Sequence, residues 1–184
     1  MKKHGIRKII GCAAMTAAFA FASVLGGGSS SEAAGGVKIN STNFPDKVFR
    51  TYVKANFDMD GNGTLSSKEI ADAKCIDLCI YDETFDNAKS IKGIEYLTNL
   101  EQFYYFGDEL TTADFSKNKK IYVIGIDRAP NLKSINVKGC TRLDALTINA
   151  SKLTSIDLST NKELTSLSIS QSDLSTIDIS KNTK

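Results

Sequence analysis

Histidine is almost absent from this chain, cysteine is sparse, and no long apolar run occurs beyond the first few dozen residues. The single histidine, His4, lies close to the N-terminus. Downstream of it no imidazole is available to activate a serine or cysteine nucleophile, so acid–base or nucleophilic chemistry lacks its usual partner. Of the four cysteines, Cys12 falls in the opening segment, and Cys75, Cys79 and Cys140 follow. Three is a poor number for a disulfide framework in an exported protein. Cys75 and Cys79 share one extended apolar stretch, are too far apart along a strand to bridge, and read as small buried apolar residues.

The opening segment is itself informative. Lys2, Lys3, Arg7 and Lys8 make a basic start, Ile9 to Leu25 carries no charge, and Gly, Ser and Ala residues follow to Ala34. That order matches a secretory signal peptide over residues 1–33. Ser31-Glu32-Ala33 places small residues where a signal peptidase reads them; Ala18-Phe19-Ala20 and Ala20-Phe21-Ala22 compete. The apolar stretch is slightly short for a membrane span. Cleavage after Ala33 would remove four of the 23 basic residues and one of the 21 acidic ones, so the nominal charge of +2 belongs to the leader. A near-neutral remainder gives no sign of a nucleic-acid partner, which needs a basic surface.

Residues 34–43 read as a linker. From Phe44 the pattern turns helical, with Val48, Phe49, Tyr52, Val53 and Phe57 on one face and Pro45 suited to the first turn. This helix runs into Asp58-Met59-Asp60-Gly61-Asn62-Gly63-Thr64-Leu65-Ser66-Ser67-Lys68-Glu69. The twelve residues match the EF-hand loop at each defined position. Calcium is a hard cation that takes six to eight oxygens in a flexible shell. Asp58, Asp60 and Asn62 offer side-chain oxygens, Thr64 its carbonyl, Ser66 an oxygen reached directly or through water, and Glu69 a bidentate carboxylate. Gly63 permits the sharp turn, and Leu65 points between the helices. A short second helix is expected from Ser67 to about Lys74, closing a helix-loop-helix over 44–74. EF-hands usually pair and the sequence contains one loop, so the first solenoid coil is expected to stand in for the missing partner. Extracellular modules of this kind bind calcium at about 10⁻⁴ to 10⁻³ M, which suits a structural ion.

Beyond Cys75 the period changes to alternation, with Ile76, Leu78 and Ile80 reading as a strand. Residues 75–99 are taken as an N-terminal coil. From residue 100 to 184 the chain then repeats itself. Leu100, Ile121, Leu143 and Leu164 are 21, 22 and 21 residues apart, and each opens an apolar-x-x-apolar-x-apolar unit. A second unit of the same internal spacing follows about ten residues later, opening at Leu110, Leu132, Leu153 and Leu174. Three residues past each comes Asn118, Cys140, Asn161 or Asn182. This is the leucine-rich-repeat pattern. Coils stack because none can bury its apolar edge alone. A repeat this short leaves little room for a convex helix, so extended structure is expected on both sides, with the Asn or Cys turned inward. The fold class is therefore α+β: an EF-hand-type helix-loop-helix cap followed by a solenoid with parallel strands. No capping element follows Lys184, and a fragment of a longer protein is expected.

The chain resembles bacterial exported leucine-rich-repeat proteins of the Gram-positive surface type, in which an EF-hand-like module precedes the repeats. The resemblance rests on Asn43-Phe44-Pro45-Asp46, the loop at 58–69, Gly93-Ile94-Glu95-Tyr96-Leu97-Thr98-Asn99-Leu100 and the Leu-Thr-Ser-Ile-Asp-Leu-Ser phrase at 153–159. It covers roughly residues 37–184, and weakens at 75–89 and at 127–131, where one extra residue and Pro130 bulge the coil. It implies an extracellular or cell-surface location and a part in attachment or ligand capture, with cell-wall association through sequence not contained here.

The outward columns are also predictable. Tyr104, Gly125, Thr147 and Ser168 should align beside Phe106, Asp127, Asn149 and Ser170. Tyr104, Phe106 and Tyr122 form an aromatic corner suited to a protein or glycan ligand, or else to covering the helical module or shielding the solenoid's open end. Asp114, Asn136, Asp157 and Asp178 form a second ladder that reads as a solvated turn face. A binding or adhesion protein without enzymatic activity is the leading expectation. A calcium-dependent docking module, or the non-catalytic portion of a surface enzyme, is the alternative.

Overall fold

The computed structural model describes residues 36–79 and 87–184. The expected leader at 1–33 and Ile80 lie outside the described residues. The chain forms a solenoid of parallel strands with a small helical module at its N-terminal end.

The module begins with β1 (Val37–Lys38), α1 (Lys47–Phe57), β2 (Thr64–Leu65) and α2 (Ser67–Asp72). Asp46 caps α1, its Oδ1 accepting from the Phe49 amide. Pro45 therefore sits just before the cap and not inside the first turn. Ser66 and Glu69 make a reciprocal capping box at the start of α2. The α1 face buries Phe49, Tyr52 and Val53.

The solenoid follows. β3 (Cys75–Leu78), β4 (Gln102–Phe106), β6 (Val123–Asp127), β8 (Ala145–Asn149) and β9 (Ser166–Ser170) form one parallel five-stranded sheet in that order. On the other side β5 (Thr112–Asp114) pairs in parallel with β7 (Ser134–Asn136). The second side is thus strand-paired in only two coils; the later ones, through Leu153 and Leu174, run there without strand pairing. Leu100, Ile121, Leu143 and Leu164 are all buried, stacked one above another along a single continuous core that runs from Phe44 to Leu164. Burying an aliphatic side chain of this size contributes about 1.5–3 kcal/mol, and the repeat multiplies that term coil by coil.

The inward asparagines complete each turn. Asn118 Nδ2 donates to Ile94 O and Leu97 O, both at 2.9 Å, in the coil before it. Asn161 does the same to Val137 O (3.0 Å) and Cys140 O (2.8 Å), and Asn182 to Leu158 O and Asn161 O. Where cysteine replaces asparagine, Cys140 Sγ reaches Phe115 O at 3.3 Å. A two-proton amide gives a second donor to two carbonyls that already accept a backbone amide of their own turn; a thiol reaches one.

Cys75 and Cys79 depart from the sequence reading. Both are half-buried, and Cys75 is disulfide-bonded, so neither is simply a small core filler.

Candidate functional site

Two places concentrate chemistry: the loop between α1 and α2, and the outward face of the five-stranded sheet.

In the loop, ligand atoms of Asp58, Asp60 and Glu69 lie within 4.8 Å of one another. Gly61 and Gly63 take positive φ of 71° and 78°, a conformation cheap only for glycine. Asp58 Oδ2 accepts from the Gly63 amide at 3.0 Å, and Asn62 Oδ1 from the Thr64 amide at 2.7 Å. Asn62 Nδ2 donates to Asp60 Oδ2 at 2.7 Å. Glu69 bridges both ends of the loop: Oε1 accepts from the Met59 amide (2.6 Å), and Oε2 from the Ser66 amide (2.8 Å) and hydroxyl (2.9 Å). Burial alone would raise the Glu69 pKa, but donors from Ser66, Met59 and Asp60 outweigh it and hold the carboxyl below its ordinary value. The Ser66 hydroxyl is committed to this cap, so its side chain is not held out toward the loop centre.

Among these oxygens one stands apart. Asp58 Oδ1 is buried and has no hydrogen-bond partner. A buried carboxylate oxygen without a donor is costly, and a hard cation held between Asp58, Asp60 and Glu69 is a chemically suitable partner for it. The donor set, all oxygen and mostly anionic, fits calcium.

The partner of this loop is not the one expected. β2 pairs antiparallel with β1, Val37 opposite Leu65 and Lys38 opposite Thr64. The stretch read as a linker therefore carries the strand that the loop's own strand needs. The first coil joins the module by side-chain contacts instead. The amide of Asp77, in β3, donates to the Tyr52 hydroxyl at 2.9 Å. The Lys89 amide donates to Asp46 Oδ2 at 3.1 Å, and Phe44 packs between Phe49 and Tyr96. Gly93 lies so close to Phe44 that a Cβ there would meet its ring at 2.2 Å.

On the sheet, register places Asp77, Tyr104, Gly125, Thr147 and Ser168 in one outward column. Phe106 lies opposite Asp127, and Asn149 opposite Ser170; Asn149 Nδ2 donates to Asp127 Oδ1 and Ser170 Oγ to Asn149 Oδ1. Tyr104, Phe106 and Tyr122 are half-buried. The Tyr104 hydroxyl donates to Gln102 Oε1 at 3.2 Å, and Gln102 Nε2 donates to the Tyr122 hydroxyl. One amide therefore fixes two phenols. The Tyr104 ring extends over the next coil, where Gly125 supplies no side chain to oppose it. Arg128 sits over Phe106, 5.0 Å from the ring centroid. The Gln102 clamp was not legible beforehand, because it joins side chains of successive coils.

The second ladder has a local duty. Asp114, Asn136, Asp157 and Asp178 each accept, through Oδ1, the amide two residues ahead, at 2.8–3.1 Å. These are Asx turns. Hydrogen bonds from Ser159 and from Lys138 push the Asp157 pKa well below the usual carboxylate range.

The geometry defines a leucine-rich-repeat β-solenoid, and the fold of one solved structure agrees. The functional domain of InlJ from Listeria monocytogenes, described as including a cysteine ladder, superposes with a TM-score of 0.52 at 23% identity, over 82% of this chain and 37% of that one. Two internalins of the same organism, inlF and internalin C2, match at 18% identity with TM-scores of 0.44 and 0.46. They are covered over 48% and 84% of their lengths, and cover 79% and 83% of this chain. The chain thus spans well under half of the first of these and about half of the second. No protein-family model matches the sequence, and no curated protein matches it. No helix among the described residues is long and apolar enough to cross a membrane.

Proposed function

We propose that this chain is an extracellular binding protein that holds a protein ligand on the outward face of its five-stranded sheet. The observation that carries the reading is the clamped aromatic pair, Tyr104 and Tyr122, tied through Gln102 and laid beside Asp77, Asp127 and Asn149. Rigid, half-exposed tyrosines beside polar groups present apolar area at little entropic cost, as interface hot spots do. The basic start and uncharged run of residues 1–33 support export.

A calcium ion in the loop at 58–69 completes the reading, held by Asp58, Asp60 and Glu69 with Asn62 and the Thr64 carbonyl as further ligands, and with Ser66, its hydroxyl paired to Glu69, reaching the ion only through water. Its part is structural: it would neutralise the Asp58 oxygen and stiffen the module that covers the first coil.

Selecting a displayed library of peptides and small protein domains on the chain tests this. Binders enriched on the wild type should be lost on Tyr104→Ser/Tyr122→Ser with an unchanged melt. Equal enrichment on both proteins removes the reading, and no enrichment beside binding of the same wild-type chain to a glycan array moves the ligand class to carbohydrate.

A further inference from the structure

Near-neutral total charge conceals a segregation that only the coil stacking reveals. The turns that lead back into the sheet, residues 116–120, 138–142, 159–163 and 180–184, stack on one lateral edge. Their register is fixed by the column Asn118, Cys140, Asn161, Asn182. These four turns contain eight lysine and arginine residues and one carboxylate, Glu163. The turns leaving the sheet, on the opposite edge, carry a nearly even balance, with Asp108, Glu109 and Asp173 against Arg128 and Lys152.

All eight cationic side chains are exposed. Lys138 pairs with Asp157 and Lys184 with Glu163, and Lys120 donates to Asn99. Among the described residues Lys117, Lys119, Arg142, Lys162 and Lys181 form no ion pair, while Asp144 and Glu163 border the strip beside Arg142 and Lys184, and Lys181 acts on Asp178. At the N-terminal end of the edge a depression of about 620 Å³ opens between Lys117, Lys119, Lys120, Tyr96 and Asn99. Glu95 also borders it, its carboxylate accepting from the Gly93 amide.

We propose that this edge is a docking surface for a linear, phosphate-bearing polymer without bases, lying along the solenoid axis. Coils about 4.8 Å apart present the cations as a strip, which matches charges repeated along a chain better than a single anion. Seven of the eight are lysines, compact point charges suited to phosphate in varied geometry. The strip offers no run of exposed rings on which bases would stack, which argues against single-stranded nucleic acid. This surface adjoins the sheet face at Tyr122, which shares a depression with Arg142 and Lys184, but the proposal does not rest on the protein-binding reading.

Fluorescently labelled inorganic polyphosphate, titrated into the chain and followed by anisotropy, tests the proposal. Saturable binding that weakens steeply with salt is expected, as counterion release requires. Lys119→Glu/Lys162→Glu should weaken it about tenfold or more, while Lys133→Glu/Lys152→Glu and Tyr104→Ser leave it within about twofold, all with unchanged circular dichroism. Absence of binding at low salt overturns the proposal, as does equal affinity in the Lys119/Lys162 variant. Tighter binding of a single-stranded oligonucleotide or of poly-glutamate at matched charge overturns the assignment of a base-free phosphate polymer.

Discussion

Tyr104 and Gly125 face each other across adjacent strands, and the glycine's missing side chain is where the tyrosine ring lies: a Cβ on Gly125 would stand 3.1 Å from Tyr104 Cδ1. That contact is tighter than nearly all real ones, so the ring must give by a few tenths of an ångström, and its partial exposure lets it swing outward. Gly125→Ala should therefore change stability by no more than about 0.5 kcal/mol in urea denaturation. A destabilisation of several kcal/mol would show that Tyr104 is core and not a ligand platform.

Calcium should raise the melting temperature. At about 1 mM ion and a dissociation constant of about 10⁻⁴ M, mass action contributes about 1.4 kcal/mol. Asp58→Ala and Asp60→Ala should abolish that gain. Glu69→Ala should lower the melt even in chelator, since Glu69 also holds the Met59 and Ser66 amides. Differential scanning calorimetry with and without chelator decides; identical wild-type melts remove the metal.

Asn161→Ala removes the second donor from two carbonyls, Val137 O and Cys140 O, each of which keeps a backbone amide. Two lost hydrogen bonds at a net of about 0.5–1.5 kcal/mol each predict a loss of about 1–3 kcal/mol in urea unfolding. Asn182→Ala, which is less buried, should cost less. Equal losses at the two positions would contradict the ladder as described.

Acid should destabilise the turns. Folding lowers the pKa of Asp157, chiefly through hydrogen bonds from Ser159 and then Lys138, and of Asp178 through Ser180. A lowered folded pKa means that the contribution is present above the unfolded value near 3.9 and is lost as pH falls through the folded one. Asp157→Asn should flatten the dependence of the melt on pH below about 4; an unchanged profile would show that the aspartate's charge contributes nothing.

Burial acts in the opposite direction on two tyrosines. Tyr52 and Tyr105 are pushed up to about 12, first by desolvation. Their contribution is complete below about 10 and fades as pH climbs toward 12. Phenolate absorbance should appear for these two only with alkaline unfolding, and Tyr52→Phe should remove one of the late-titrating groups.

The order of residues alone determined the repeat, its register and its inward column, because a strict period of 21 or 22 leaves one way to stack every apolar edge. Local chemistry was equally legible where it depends on a few neighbouring residues: the short helix from Ser67 and the turn at Gly63 follow from spacing and backbone sterics. Tertiary structure decided what lies between distant segments. That β1 pairs with the loop's strand, that Gln102 ties together tyrosines of two coils, and that eight cations gather on one edge of a nearly neutral chain all depend on which turns become neighbours. Sequence separation carries no record of such proximity; stacking creates it.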